Sequence, residues 1–404
     1  MTTLSAAPLL VALTLTPLDP ASAQPTTPQP AVTQSAPVGG PQLNSRGVVV
    51  NRTRAMKAPP KIDASSYLIA DADTGQVLAA KDAHGHYLPA SALKTLTSVA
   101  LIPKLDRNAT VRPGRQVVDV EGTKVGMTAG FSYKVSDLFR ALMMVSGNDA
   151  ALALAQANGG LKRTLAMMNA EAKRLQANDT LAGSPNGLDV DLGLNVKTQH
   201  TSAYDLALIM RQGLQLPDFR TYVGTIEAKW PAPPTKEQRK LGRKVGGYPI
   251  YTHNRLLRPG QSRYAGMIGG KNGYTNAAQG TFVGAARRGG HTIIIALMHS
   301  SSLWTYASQL LDWGFAARGR VLPVGTLVGP VPPPAPRAHE RRQDQRALPV
   351  GPARQGNSGV WGLLTLGAAV AVAGSLALVL WHRRRPTRSS GTRPPTRPNG
   401  PPQW

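Results

Sequence analysis

Between residues 59 and 320 the apolar positions change period twice. Tyr67-Leu68-Ile69-Ala70 is a short unbroken apolar run. Asp71-Ala72-Asp73-Thr74-Gly75 interrupts it, and Gln76-Val77-Leu78-Ala79 resumes it. Runs of this length suit strands, and the polar break ends on a Gly that tolerates the positive φ of a tight turn. The pattern therefore predicts a β-hairpin. Helical spacing follows. Pro89-Ala90-Ser91 opens a helix that runs towards Ile102 and stops at Pro103, since a ring nitrogen cannot continue the hydrogen-bond ladder. Ser136 is expected to cap the next helix, whose Leu138, Phe139 and Leu142 share one face. Residues 149–157 are rich in Ala and Leu and read as a buried helix. Residues 161–175 and 202–214 read as further helices. The period then shortens. Residues 280–286 and 292–299 predict strands joined by Arg287-Arg288-Gly289-Gly290, and 303–315 predicts a closing helix. Hairpin, helical block, strands and helix in that order predict an α/β layer fold. Its antiparallel sheet takes strands from both ends of the domain.

The two ends of the chain lack this periodicity. A mostly apolar run from Pro8 to Leu15, followed by Ala21-Ser22-Ala23, fits a secretory signal cleaved after Ala23. No Lys or Arg precedes Arg46, so the usual positive leader is missing. Residues 360–381, VWGLLTLGAAVAVAGSLALVLW, carry no charge. As a helix they would extend ~33 Å at ~1.5 Å per residue, enough to cross a bilayer core. Trp361 and Trp381 stand at the two ends, and His382-Arg383-Arg384-Arg385 follows directly. Positive charge stays cytoplasmic, so the tail is expected inside and everything before residue 360 outside. Residues 24–58 and 321–358 are rich in Pro and polar residues and read as spacers. The expected organisation is a signal over 1–23, a spacer over 24–58, a catalytic domain over 59–320 and a spacer over 321–358. A transmembrane helix over 359–381 and a basic tail over 382–404 complete it.

Composition removes several chemistries. There is no Cys, which excludes disulfides, thiolate metal sites and a Cys nucleophile. The net charge of +25 points to anionic surroundings. Six Arg and no acid lie in 383–404, and the remaining charge is mostly interspersed. No nucleic-acid motif or basic–aromatic stripe appears, so a generally basic surface is the reading and no nucleic-acid partner is expected.

Three short motifs carry candidate chemistry. Ser91-Ala92-Leu93-Lys94 puts a hydroxyl and an amine three residues apart, on one face of a helix. A neutral Lys amine can take the Ser proton if burial and nearby cations lower its pKa. Backbone N–H groups at the helix start suit an oxyanion hole. Ser91 is the one Ser with Lys at +3. Ser146-Gly147-Asn148 is expected on a loop between two apolar helices, where the hydroxyl can relay a proton and the amide can hold a substrate backbone. Ser184-Pro185-Asn186 repeats the spacing, but the loop position favours the first. Lys271-Asn272-Gly273-Tyr274 lies between Gly270 and the 280–286 strand. There a Gly-flanked Lys on an edge strand supplies charge for a carboxylate and lets a substrate approach. His84-Gly85-His86 has no obvious third ligand and reads as a surface loop, so no metal or other cofactor is expected. Asp205 is expected to support a helix start.

S-x-x-K, S-x-N and K-x-G in this order resemble the active-site set of penicillin-recognising serine enzymes. The chain resembles the serine D-alanyl-D-alanine carboxypeptidases, the low-molecular-mass penicillin-binding proteins, from about Ser66 to Phe315. Asp71–Gly75, Met168-Asn169, Pro185–Asp189, Asn254-Arg255-Leu256-Leu257 and Trp313-Gly314-Phe315 add to the likeness. The resemblance implies a β-lactamase/transpeptidase-like fold: an antiparallel sheet with flanking helices and a helical subdomain. It implies that Ser91 attacks the carbonyl between two D-alanines of a peptidoglycan stem peptide and that Lys94 is its base. Backbone N–H groups of Ser91 and Tyr274 would hold the oxyanion. Ser146 and Lys271 would pass the proton to the departing D-Ala, while Asn148, Asn272, Gly273 and Tyr274 contact substrate. β-Lactams would acylate Ser91 as inhibitors. Asn272 stands where Thr is commoner, and His299-Ser300-Ser301-Ser302 lacks the Arg that many relatives use for the carboxylate. Carboxylate recognition is then expected to rest on Lys271, Asn272 and Ser side chains. A D,D-endopeptidase or a non-catalytic β-lactam or muropeptide sensor are the alternatives. A β-lactamase is disfavoured because no second base of the class A type follows Asn148.

Overall fold

Ile293 to Met298 is apolar at six consecutive positions and buried throughout. A strand covered on one face would alternate, so an unbroken run requires cover on both faces. That requirement organises the molecule, a computed structural model that describes residues 37–332. The chain begins with β1 (Val48–Val49), β2 (Asn51–Arg52) and the hairpin β3 (Ala64–Asp71) and β4 (Gln76–Lys81). A 3-10 turn at Ala90–Leu93 runs into α1 (Lys94–Leu101). Next come β5 (Thr110–Val111), α2 (Arg115–Val118), β6 (Tyr133–Lys134), α3 (Val135–Met144), α4 (Asn148–Ala157) and α5 (Leu161–Arg174). Then follow α6 (Ala203–Gly213), α7 (Pro217–Gly224), β7 (Glu227–Trp230), α8 (Lys236–Lys240) and β8 (Tyr248–Tyr251). The chain closes with β9 (Met267–Thr275), β10 (Gln279–Arg288), β11 (His291–Ser300), α9 (Leu303–Ala317), β12 (Val321–Leu322) and β13 (Gly325–Thr326).

The main sheet is antiparallel, in the order β1-β4-β3-β11-β10-β9, with β13 also on the outer edge of β4. The N-terminal hairpin thus pairs with the late strands through β3 and β11, with Ile69 opposite Ile295. Side chains alternate between two cores. Leu68, Ala70, Ile294, Ala296 and Met298 pack with the helical block, while Tyr67, Ile69, Ile293, Ile295 and Leu297 pack with α9. Fully burying each large aliphatic side chain contributes roughly 1.5–3 kcal/mol. The two-sided core fixes the register, since a one-residue slip would exchange the faces.

The expected spacers are shorter than their composition suggested. Within 24–58, Leu43 is buried, β1 pairs with β4, and β2 pairs with β12. Within 321–358, β13 pairs with β4, the Tyr204 hydroxyl donates to Thr326 O (2.7 Å), and Arg211 donates to Leu327 O (3.0 Å). Two-residue strands carry no readable period, and their partners are distant in sequence. Ser136 is not a cap either. The cap position is Lys134, at the end of β6, and the first helical N–H groups of α3 donate to Ala109 O and Arg107 O. The segment leading into β5 satisfies them, so no side-chain cap is required. Among the described residues no helix is long and apolar enough to cross a membrane. The predicted signal over 1–23, the span over 359–381 and the tail over 382–404 lie outside the described residues.

Candidate active site

The nucleophile candidate sits on a strained turn. Ala90, just before Ser91, has φ 44°, a left-handed conformation that costs a non-glycine residue about 1–3 kcal/mol. Packing imposes it. The Thr281 hydroxyl of β10 donates to Pro89 O (2.9 Å), and Gly187 lies so close to the Ala90 carbonyl that no side chain would fit there. Gly273 of β9 is equally constrained. A Cβ on it would stand 2.5 Å from the Ser91 nitrogen and 2.6 Å from Thr281 Oγ1. Glycine therefore lets the edge strand close on the start of the nucleophile helix.

Lys94 begins α1 and is fully buried. Its Nζ lies 2.8 Å from Ser91 Oγ, 2.8 Å from Asn148 Oδ1 and 2.6 Å from the Asn186 carbonyl. The last two are pure acceptors, whereas the hydroxyl can also donate. A neutral amine has two N–H groups and one lone pair. With the N–H groups on Asn148 and Asn186, the lone pair faces the Ser91 proton. Burial and then the charge of Lys271 push the Lys94 pKa well below its ordinary range, against the opposing pull of Asp149. The environment thus favours the base form that this geometry can use.

Asn148 opens α4 after a turn in which Ser146 has φ 62°. Sequence reasoning gave Asn148 to the substrate. Its Oδ1 accepts from Lys94 and its Nδ2 donates to Glu121 O (2.8 Å), so one N–H remains for other use. Asp149, unassigned in the sequence, is buried and accepts from the N–H groups of Val125 (3.0 Å), Gly126 (3.0 Å), Met127 (3.1 Å) and Ala150 (2.9 Å). It clamps the 121–128 loop beside the Ser146–Asn148 turn.

Lys271 on β9 is buried, and its Nζ donates to Asn272 O (2.6 Å). Burial lowers its pKa to about 7. Asn272, Gly273 and Tyr274 line a cavity of about 640 Å³ together with Arg255, Ser300, Ser301, Ser302 and Trp304. Ser300 Oγ is buried there without a partner. Asn272 and Arg255 also border a smaller recess with His253 and Arg258.

The three motifs therefore converge. Lys94 contacts Ser91 and Asn148, and Gly273 abuts Ser91. Sequence reasoning missed Asn186, whose contribution is a backbone carbonyl. The Pro185-Asn186-Gly187 turn was its only signal. It also missed Arg255, which lies in no motif with Asn272. Thr275 Oγ1 donates to Asp189 Oδ2 (2.6 Å), tying the Asn186 loop to β9. His84 and His86 gather on Asp179, at 2.6 and 3.4 Å, with His86 stacked on His200. Asp205 Nα donates to the Ser202 cap of α6, and burial raises its carboxyl pKa.

Residues 53–302 match the family model for D-alanyl-D-alanine carboxypeptidase. The chain belongs to that family. It is 39% identical to the D-alanyl-D-alanine carboxypeptidase DacB2 of Mycobacterium tuberculosis over 263 residues, which are 64% of this chain and 84% of that one. It is 30% identical over 272 residues to DacD of Salmonella typhimurium, covering 63% of this chain and 64% of that protein. Among solved structures, a D-alanyl-D-alanine carboxypeptidase of M. tuberculosis superposes with a TM-score of 0.60 at 37% identity, covering 68% of this chain and 99% of that one. The Streptomyces K15 DD-transpeptidase gives 0.58 at 26%, covering 64% and 100%. As a serine-type peptidase of the carboxypeptidase family, the chain has the α/β fold of penicillin-binding enzymes around its antiparallel sheet.

Proposed function

We propose that this chain is a membrane-anchored, extracytoplasmic carboxypeptidase that removes the terminal D-Ala of peptidoglycan stem peptides through an acyl-enzyme on Ser91. The observation that carries the reading is the Lys94 amine, buried between two acceptors with Ser91 Oγ as its third partner. Neutral Lys94 accepts the Ser91 proton as Oγ bonds to the carbonyl carbon. The N–H groups of Ser91 and Tyr274 receive the oxyanion. The C–N bond to D-Ala breaks, and the proton reaches the departing amine by way of Ser146, with Lys271 stabilising the charge. Water then cleaves the ester, with Lys94 again as base. Asn148 positions Lys94 and offers its remaining N–H to the substrate backbone. Asn272, Ser300 and the nearby Arg255 guanidinium supply donors for the terminal carboxylate, in place of an Arg after β11. Penicillin would acylate the same Ser91, and its ring-opened amine stays tethered, which slows release. The uncharged 360–381 run and the Arg-rich tail support the anchor.

The test uses a pentapeptide ending in D-Ala-D-Ala. The wild-type protein should release D-Ala and take a covalent fluorescent penicillin, and Ser91→Ala should do neither. Labelling of Ser91→Ala at the wild-type level would remove Ser91 as nucleophile. Wild-type labelling without D-Ala release would favour the sensor reading.

A further inference from the structure

An arm built from β7, α8 and β8 is attached to the loop beside the Ser146–Asn148 turn and has no part in the chemistry above. Residues 227–251 hold six cations, Lys229, Lys236, Arg239, Lys240, Arg243 and Lys244, against two acids, Glu227 and Glu237. All six cations are exposed, and none forms an ion pair among the described residues. The arm is nevertheless well fixed. Trp230 is buried and stacks on Tyr133 (centroids 4.9 Å apart), and the Tyr248 hydroxyl donates to Val125 O (2.6 Å). Thr235 and Gln238 close a reciprocal capping box on α8. Two of its attachments are active-site parts. Val125 belongs to the loop clamped by Asp149 beside Asn148, and β8 leads directly to His253, which borders the recess next to Asn272.

We propose that this arm is a docking surface for a polyanionic polymer, namely the carboxylate-bearing stem peptides that neighbour the one being cut. The inference rests on the reading that the substrate is peptidoglycan. It adds that the enzyme acts preferentially on the polymer over a free peptide. Charge complementarity selects the occupant. Each uncut neighbouring stem presents free carboxylates, and a fixed cluster of unpaired cations beside a site raises the local concentration of anionic substrate. The attachment to the loop beside Asn148 favours the polymer over a lipid surface, although Leu241 and Val245 are exposed and apolar.

The test is a variant carrying Arg239→Gln, Lys240→Gln, Arg243→Gln and Lys244→Gln, assayed on insoluble peptidoglycan and on a soluble pentapeptide of the same stem sequence. D-Ala release from the polymer should fall about fivefold or more at low salt, while pentapeptide turnover stays within about twofold. The wild-type rate on polymer should fall as salt rises towards that of the variant, because salt screens exposed charges. An unchanged rate on polymer would overturn the proposal. So would a loss confined to co-sedimentation with phosphatidylglycerol vesicles, which would make the arm a lipid-binding surface. Should the wild type leave the pentapeptide intact, the catalytic reading fails separately. Co-sedimentation of both proteins with peptidoglycan then decides the docking claim alone.

Discussion

Lys94 and Lys271 are two buried amines on different elements, and the first depends on the second. The charge of Lys271 is one of the causes that keep Lys94 in its base form. Replacing Lys94 by Ala should leave a folded protein whose acylation by penicillin is ~10²–10⁴-fold slower, as loss of a general base predicts. Stopped-flow labelling checks it, and acylation within about threefold of wild type across pH 6–9 would make another group the base. Lys271→Met removes the neighbouring charge, so the Lys94 pKa should rise. The acid limb of the acylation profile should then move to higher pH. A limb that moves lower or stays fixed would contradict the coupling. Stability follows the same sign. Lys271 has a folded pKa of about 7 against an ordinary 10.5, so between these values the unfolded chain binds the extra proton. Wild-type stability should therefore climb as pH rises through this window, and in Lys271→Met that climb should be smaller. Urea midpoints measured at both ends of the window test the difference.

The turn between α3 and α4 works because a carboxylate organises the loop opposite it. Asp149→Asn replaces one acceptor oxygen with a donor facing buried N–H groups. Leaving such a group unsatisfied costs about 1–3 kcal/mol. The urea midpoint should fall accordingly, and acylation should slow because Asn148 loses its seat against Glu121. A midpoint equal to wild type would show that the four contacts to Asp149 are replaceable. This clamp also marks what local pattern can and cannot reveal. The hairpin, α4, α5, α6, the two late strands and α9 were legible because each is long enough to show a period. The Ser91–Lys94 pair was legible because spacing along one helix placed a hydroxyl and an amine together, whereas Ser146 and Lys271 stood out only through the resemblance carried by the three motifs in order. The Asn186 carbonyl was not, since every residue has one and only the fold selects which is used. β1 and β13 were hidden for the opposite reason: two residues have no period, and their pairing partner lies across the chain. The 24–58 and 321–358 boundaries were drawn too generously on that account. The arm was hidden because its prolines, glycines and interspersed lysines read as ordinary surface.

For the whole chain, the apolar 360–381 run and the Arg-rich tail make a testable topology. Truncation after Gly356 should release a penicillin-binding protein into the medium, whereas the full chain should sediment with membranes. A C-terminal alkaline phosphatase fusion should be inactive, since that enzyme works only after export. Activity there would reverse the orientation. An anchor of the proposed kind would also transmit tension, and the sheet order decides where that tension would arrive. The C-terminal end of the body enters through β13, on the outer edge of β4, and Val331 N donates to Arg174 O. The cleft lies on β9, at the opposite edge. Five strand spacings of ~4.8 Å put roughly 24 Å of hydrogen-bonded sheet between the two. With the chain anchored as proposed, a pull from that end would peel a two-residue strand from its edge long before it strained the seat of Ser91, and the catalytic edge would be mechanically insulated from it.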